Sequence, residues 1–141
     1  MEVARTLAQA TTCLRRGVGC VLVDKDYKVL ATGYNGVARG LMHCNLKTPI
    51  GYQFACKGAF AEKGADLHLC EAIHAEQNAL LQCADVDKIH ICYVTTSPCI
   101  HCIKLLLNTT CEIIVADEIY SEEAIKLWKR GGRTILLSAS L

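Results

Sequence analysis

At 141 residues the chain has room for one compact domain with a single core. A hydrophobic fraction of 52% argues for a globular fold and against disorder, and a formal net charge of +1 with scattered Lys and Arg leaves no electrostatic footprint for a large nucleic-acid surface. The opening MEVARTLAQATTC has no apolar signal core and no stretch approaches the roughly 18 apolar residues of a membrane span, so the expectation is a cytoplasmic protein with no membrane contact.

In chain order, residues 2–12 read as a helix with Val3, Leu7 and Ala10 on one face. GVGCVLVDKDYKVLATGYNG reads as two strands joined by a tight turn at Asp24 to Asp26. Residues 36–69 carry six of the chain's glycines and prolines and no sustained period, a length that is uncommon without something to staple it. Residues 71–83 then read as a helix, KIHICYVTT as a buried strand, and a second helix runs from about Cys99 to Asn108. CEIIVAD is a strand, 121–130 a helix stopped by Gly131-Gly132, and RTILLS the last strand. Strands alternating with helices indicate a layered α/β sheet over 1–141, with no internal repeat.

Two short motifs carry chemistry. In CEAIHAEQNAL, His74 precedes Glu76 by two residues at a helix start, which alone is ordinary surface chemistry. SPCIHC adds Cys99 and Cys102 at the spacing that lets two thiolates hold one ion from a strand-to-helix turn. Helix N-termini favour thiolate over thiol. One His and two Cys leave the fourth position of a tetrahedral zinc open for water, whereas a structural site would want a fourth ligand. Zinc makes hydroxide accessible near pH 7, and Glu76 is placed as the proton carrier. A thioredoxin-like redox pair is the competing reading of C-x-x-C, and it has no use for His74 and Glu76. His101 reads as an outward-facing neighbour.

H-x-E followed by P-C-x-x-C is the signature of zinc nucleobase deaminases. CLRRGVGCVLVDKDYKVLATGYNGVARGLMHC, HAEQNAL and YVTTSPCIHC together resemble the deoxycytidylate (dCMP) deaminase family over nearly the whole chain. The resemblance implies a three-layer α/β/α, cytidine-deaminase-like fold with a mixed five-stranded sheet. It implies a catalytic Zn2+ on His74, Cys99 and Cys102, with Glu76 moving protons during hydrolysis of dCMP to dUMP and ammonia, which feeds thymidylate synthesis. It further implies that Asn35 bonds the deoxyribose and that the Ala75 N–H and the Thr96–Ser97 loop touch the base. The 5′-phosphate is expected near Arg15, Arg16 or Tyr120. Relatives of this family are often hexamers regulated by dCTP and dTTP, so a homo-oligomer with these effectors is the expectation. Ala38 stands where Pro is common and Asp85 where many relatives have Arg, departures that bear on regulation and leave the chemistry alone.

Ten cysteines without an export signal point to metal binding or burial rather than to disulfides. Cys13 and Cys44 match positions that hold a second, structural zinc in some members of the family. With Cys56 and Cys70 they would pin the long segment to the first helix and to the helix carrying His74. His43 or His68 could replace one of the four, and independent thiols are the alternative. Cys20 reads as a small buried strand residue, and Cys83, Cys92 and Cys111 as core. Other activities stay open: a 5-substituted dCMP, free cytidine, guanine or a tRNA adenosine as substrate, or a zinc-stabilised binding module without turnover.

Overall fold

The computed structural model describes residues 1–12, 16–43 and 70–141. Among the described residues, seven strands appear in chain order: β1 (Gly19–Val23), β2 (Val29–Tyr34), β3 (Gly36–Val37), β4 (Ala72–Ile73), β5 (Ile91–Thr96), β6 (Ile113–Glu118) and β7 (Thr134–Leu137). Four α-helices accompany them: α1 (Glu2–Ala8), α2 (Ala75–Gln82), α3 (Ile100–Leu107) and α4 (Glu122–Arg130). Among the described residues no helix is long and apolar enough to cross a membrane.

Five strands form one mixed sheet in the order β2-β1-β5-β6-β7. β1 runs antiparallel to β2 and β5, while β5, β6 and β7 are mutually parallel. All five residues of β1 are buried, as its unbroken apolar run GCVLV demands of a strand covered on both faces. The period of two sorts the sheet cleanly. Cys20, Leu22, Cys92, Val94, Ile114 and Ala116 face a core that includes residues of α2, α3 and α4. Val21, Val23, Ile91 and Val115 face the opposite side, where Ala4 of α1 is fully buried. The architecture is therefore α/β/α with a mixed five-stranded sheet, as the sequence pattern implies.

Local chemistry explains the joints. Asp24 closes the β1–β2 turn, its Oδ1 accepting from Asp26 N at 2.9 Å and Lys28 N at 3.0 Å, and Tyr27 takes a left-handed φ of 60°. Ser121 Oγ accepts from Ala124 N at 3.2 Å at the start of α4, and Gly132 follows its end with φ 78°. Trp128 is fully buried, with Nε1 donating to Thr134 O at 2.7 Å. Arg133 lies 5.3 Å from the Trp128 ring centroid and donates to the Leu106 and Leu107 carbonyls at the end of α3.

Gly33 sets how closely α2 lies on the sheet. A Cβ there would stand 2.3 Å from Ala75 O and 2.6 Å from Ala79 N. Gly33→Ala is expected to lower stability by about 1–3 kcal/mol through overpacking against helix backbone. Urea denaturation reads this directly, and a midpoint equal to wild type would contradict the close seating of α2.

At the sheet's other face, Arg5 of α1 donates through Nε and Nη2 to Asp117 at 3.0 and 2.7 Å, and Ser138 Oγ donates to the same carboxylate. The Arg5 hydrogen bond leads in holding the Asp117 carboxyl below its ordinary range. A depressed carboxylate stabilises the fold fully above its unfolded pKa of about 3.9 and loses that contribution as pH falls through the folded value. Both side chains are partly exposed, so the pair is worth about 0–1 kcal/mol. Asp117→Asn is expected to cost this at pH 7 and progressively less as pH falls below the unfolded carboxyl's range, a difference that thermal melts across that range resolve.

Two boundaries and one strand pairing differ from the sequence reading. The first helix ends at Ala8 rather than at residue 12, because Thr11 and Thr12 turn to the β2–β3 segment: Thr11 Oγ1 donates to Asn35 O, and Thr12 Oγ1 accepts from Val37 N. The helix expected over 71–83 starts at Ala75, since Ala72 and Ile73 pair with Val37 and Gly36. That two-stranded β3–β4 ladder had no counterpart in the sequence reading.

Candidate active site

The site forms where two helices begin side by side against the carboxyl end of the sheet. His74 is the N-cap of α2, and its backbone N–H is held by Gln77 Oε1 at 2.9 Å. Cys99 is the N-cap of α3, placed there by the buried Ser97-Pro98 turn that follows β5, and Cys102 lies in the first turn of the same helix. This juxtaposition brings His74 Nδ1 to 3.4 Å from Cys99 Sγ and 3.3 Å from Cys102 Sγ. Among the described residues, this is the group of His, Cys, Asp and Glu side chains that could hold an ion, with all three ligand atoms within 4.8 Å of one another.

The spacing fits zinc. Bond lengths of about 2.0–2.3 Å to N and S place tetrahedral ligand atoms about 3.5 Å apart. The electrostatics ask for a cation as well. The adjoining Cys102 thiol, with help from His74, holds the Cys99 thiol well down, while Cys99 and burial push Cys102 up. His74 is pushed up, first by its hydrogen bond to Cys99. Two sulfurs that share one proton can both ionise only when a positive charge replaces it.

Glu76, in the first turn of α2, is only 4% exposed. Burial raises its carboxyl to about 7, against a smaller opposing effect of its own backbone N–H. A carboxyl in this position holds a proton readily and gives it up readily near neutral pH. His101 is exposed and turned from the cluster, as the sequence reading has it.

Asn35 follows β2 and is buried; its Oδ1 accepts from Val18 N at 2.8 Å and its Nδ2 donates to Arg16 O. The amide thus orders the 16–18 segment and keeps a second Nδ2 hydrogen. Thr96 Oγ1 donates to Glu118 Oε1 at 3.0 Å, and Ser97 Oγ accepts from Tyr120 N at 2.8 Å. Tyr120 itself is 46% exposed. Ala75 is buried as the first residue of α2. Arg15, Cys13, Cys44 and Cys56 lie outside the described residues, and Cys70 is half-buried. Cys20 and Cys92 are fully buried with their sulfurs 3.6 Å apart, Cys111 is fully buried, and Cys83 packs at the core's edge. Sequence reasoning overlooked Gln77 and Glu118. Gln77 had a signal, being the third residue after a helix cap, whereas Glu118 belongs to no motif.

Comparison with known proteins bears on this geometry. The family model for the cytidine and deoxycytidylate deaminase zinc-binding region matches residues 1–118. The deoxycytidylate deaminase of Saccharomyces cerevisiae is 34% identical over 96% of the chain, and that of Schizosaccharomyces pombe 41% identical over 72%. The chain spans only 42% and 30% of the length of those two relatives. Among solved structures, the dCMP deaminase of cyanophage S-TIM5 in complex with dCMP and dUMP superposes with a TM-score of 0.74 at 25% identity, covering 96% of this chain and 91% of that one.

Proposed function

We propose that this chain, which belongs to the cytidine and deoxycytidylate deaminase family, hydrolyses the 4-amino group of dCMP to give dUMP and ammonia. One observation carries the reading: His74 Nδ1 lies within 3.4 Å of both cysteine sulfurs, with the buried Glu76 carboxyl two residues along. The names of the relatives and the dCMP-bound structural neighbour support the choice of substrate.

His74, Cys99 and Cys102 would hold the zinc through one nitrogen and two sulfurs. Bound there, zinc acts as a Lewis acid that lowers the pKa of a water to about 7. Glu76 takes one proton of the attacking water and delivers it to N3 of the ring, then takes the proton of the new C4 hydroxyl and passes it to the departing amine. Its burial keeps that carboxyl out of bulk water, so the proton stays with the substrate between steps. The Ala75 N–H and the Thr96–Ser97 loop would touch the base. Asn35 offers its remaining amide hydrogen to a deoxyribose oxygen.

Cytoplasmic location, assembly into a homo-oligomer such as a hexamer, and control by dCTP and dTTP complete the proposal. Assembly and effector control rest on the family resemblance. A second, structural zinc on Cys13, Cys44, Cys56 and Cys70 rests on that resemblance and on the clustering of these cysteines around the long segment. Ammonia release on dCMP, CMP, deoxycytidine and a 5-substituted dCMP tests the substrate. Comparable rates with and without the 5′-phosphate would sink the nucleotide assignment.

A further inference from the structure

The three candidate metal ligands stand on two helix starts, and the two starts are held differently. On the cysteine side, Pro98 is fully buried and Ser97 is 2% exposed. Ser97 N donates to Glu118 O at 2.9 Å, and its Oγ accepts from Tyr120 N at 2.8 Å. Residues 118 and 120 thus clamp the turn that delivers Cys99, and the proline ring fixes its own φ. His74 has no such turn ahead of it. It is exposed, and the residues before it, Ala72 and Ile73, form a half-buried strand of two residues.

What fixes His74 comes from α2 itself. Its carbonyl accepts from Asn78 N at 2.9 Å, and its N–H donates to Gln77 Oε1 at 2.9 Å. The first is an ordinary helix bond, which any residue at 78 except proline supplies. The second depends on the Gln77 side chain. A helix start leaves the N-cap N–H outside the helix's own bonding, so the amide oxygen is what orients it. The direction of an N–H sets the φ of its residue, and with it the direction in which the side chain leaves the backbone. His74 stands at φ −68°, which brings Nδ1 to 3.4 and 3.3 Å from the two sulfurs. The neighbouring Asn78 amide is engaged elsewhere, its Nδ2 donating to Tyr34 O at 2.9 Å.

We propose that Gln77 is a positioning residue for the metal centre, its amide holding the His74 backbone so that Nδ1 is aimed at the ion before the ion arrives. The inference rests on the reading of His74, Cys99 and Cys102 as the zinc ligands. Gln77 acts through His74 and not on the ion. Without its amide, His74 samples other φ values, and binding must then order the ligand as well as bond it. Partners of this kind, one shell outside the ligands, are worth about 10–100-fold in metal affinity.

The test measures zinc affinity by chelator competition in wild type, Gln77→Ala, Gln77→Glu and Cys102→Ser. Gln77→Ala is expected to bind zinc about tenfold more weakly. Alanine suits a helix interior, so α2 should persist. Gln77→Glu keeps an oxygen acceptor at the same place in the cap and is expected to restore most of the affinity. Cobalt(II) in place of zinc should give Gln77→Ala the thiolate-to-metal absorption of wild type at saturation, because both sulfurs remain. Metal-free thermal melts identify a plain helix cap: a lowered melt with unchanged zinc affinity in Gln77→Ala overturns the proposal. So does a Gln77→Glu that binds as weakly as Gln77→Ala, or a lost thiolate band. Wild-type affinity in Gln77→Ala beside weakened binding in Cys102→Ser sinks the proposal alone. A wild type that binds no zinc, or a Cys102→Ser that binds it as tightly, sinks the zinc-ligand reading and the proposal with it.

Discussion

Glu76→Gln is expected to lower kcat on dCMP by about 10²–10⁴-fold while zinc content stays at the wild-type level. The side chain is 4% exposed, and the amide has nearly the shape of the carboxylate, so neither packing nor the start of α2 should suffer. What the amide cannot do is take a proton from water and pass it on to N3 and the leaving amine. Because burial already disfavours the ionised form of Glu76, loss of the charge places no new strain on the core. The variant therefore separates proton transfer from fold and from metal binding. Circular dichroism and metal analysis should match wild type, and the defect should fall on kcat rather than on KM. Wild-type turnover would remove Glu76 from the mechanism.

Cys102→Ser is expected to cost one equivalent of zinc per chain, and with it measurable turnover of dCMP. Cys102 is fully buried in the first turn of α3, and its Sγ lies 3.3 Å from His74 Nδ1. A serine hydroxyl does not ionise in this range and is a hard donor, where zinc here is offered soft sulfur. The loss should exceed the roughly 10–100-fold in affinity that changing an outer-shell partner costs. The core around Ile103 and Leu106 on the same helix is untouched, so the fold should survive. Metal analysis after dialysis, beside a thermal melt, tests both halves. Full zinc retention would mean that the ion is held by other residues.

The parts of the site legible in the sequence are those in which covalent spacing decides geometry. Two residues between Cys99 and Cys102, and one between His74 and Glu76, place each pair on a single helical start whatever the rest of the chain does. That the two starts meet is a fact of topology: β1 lies between β2 and β5, which brings α2 and α3 to one face of the sheet. The family resemblance supplied that step in advance. Strands β1, β5 and β6 were legible because their apolar runs are covered on both sides. Two-residue strands such as β3 and β4 carry no period, and the early end of α1 depends on Thr11 and Thr12 bonding to residues more than twenty positions away. The Arg16–Glu118 contact was illegible for the same reason, since it joins residues about a hundred positions apart without a motif.

Asn35 shows how a motif residue can have more than one task. The sequence reading gives it to the sugar, and the structure adds its two backbone bonds to residues 16 and 18. Asn35 then couples the turn after β2 to the segment that carries Arg16.

Zinc titrated back into metal-stripped protein, with dCMP deamination followed at each addition, tests the central claim most directly. The expected result is that turnover is absent without metal and rises in step with zinc bound at His74, Cys99 and Cys102. Glu76→Gln protein should bind the same zinc and remain silent. Full turnover in the stripped protein, or in zinc-loaded Glu76→Gln, would contradict the account.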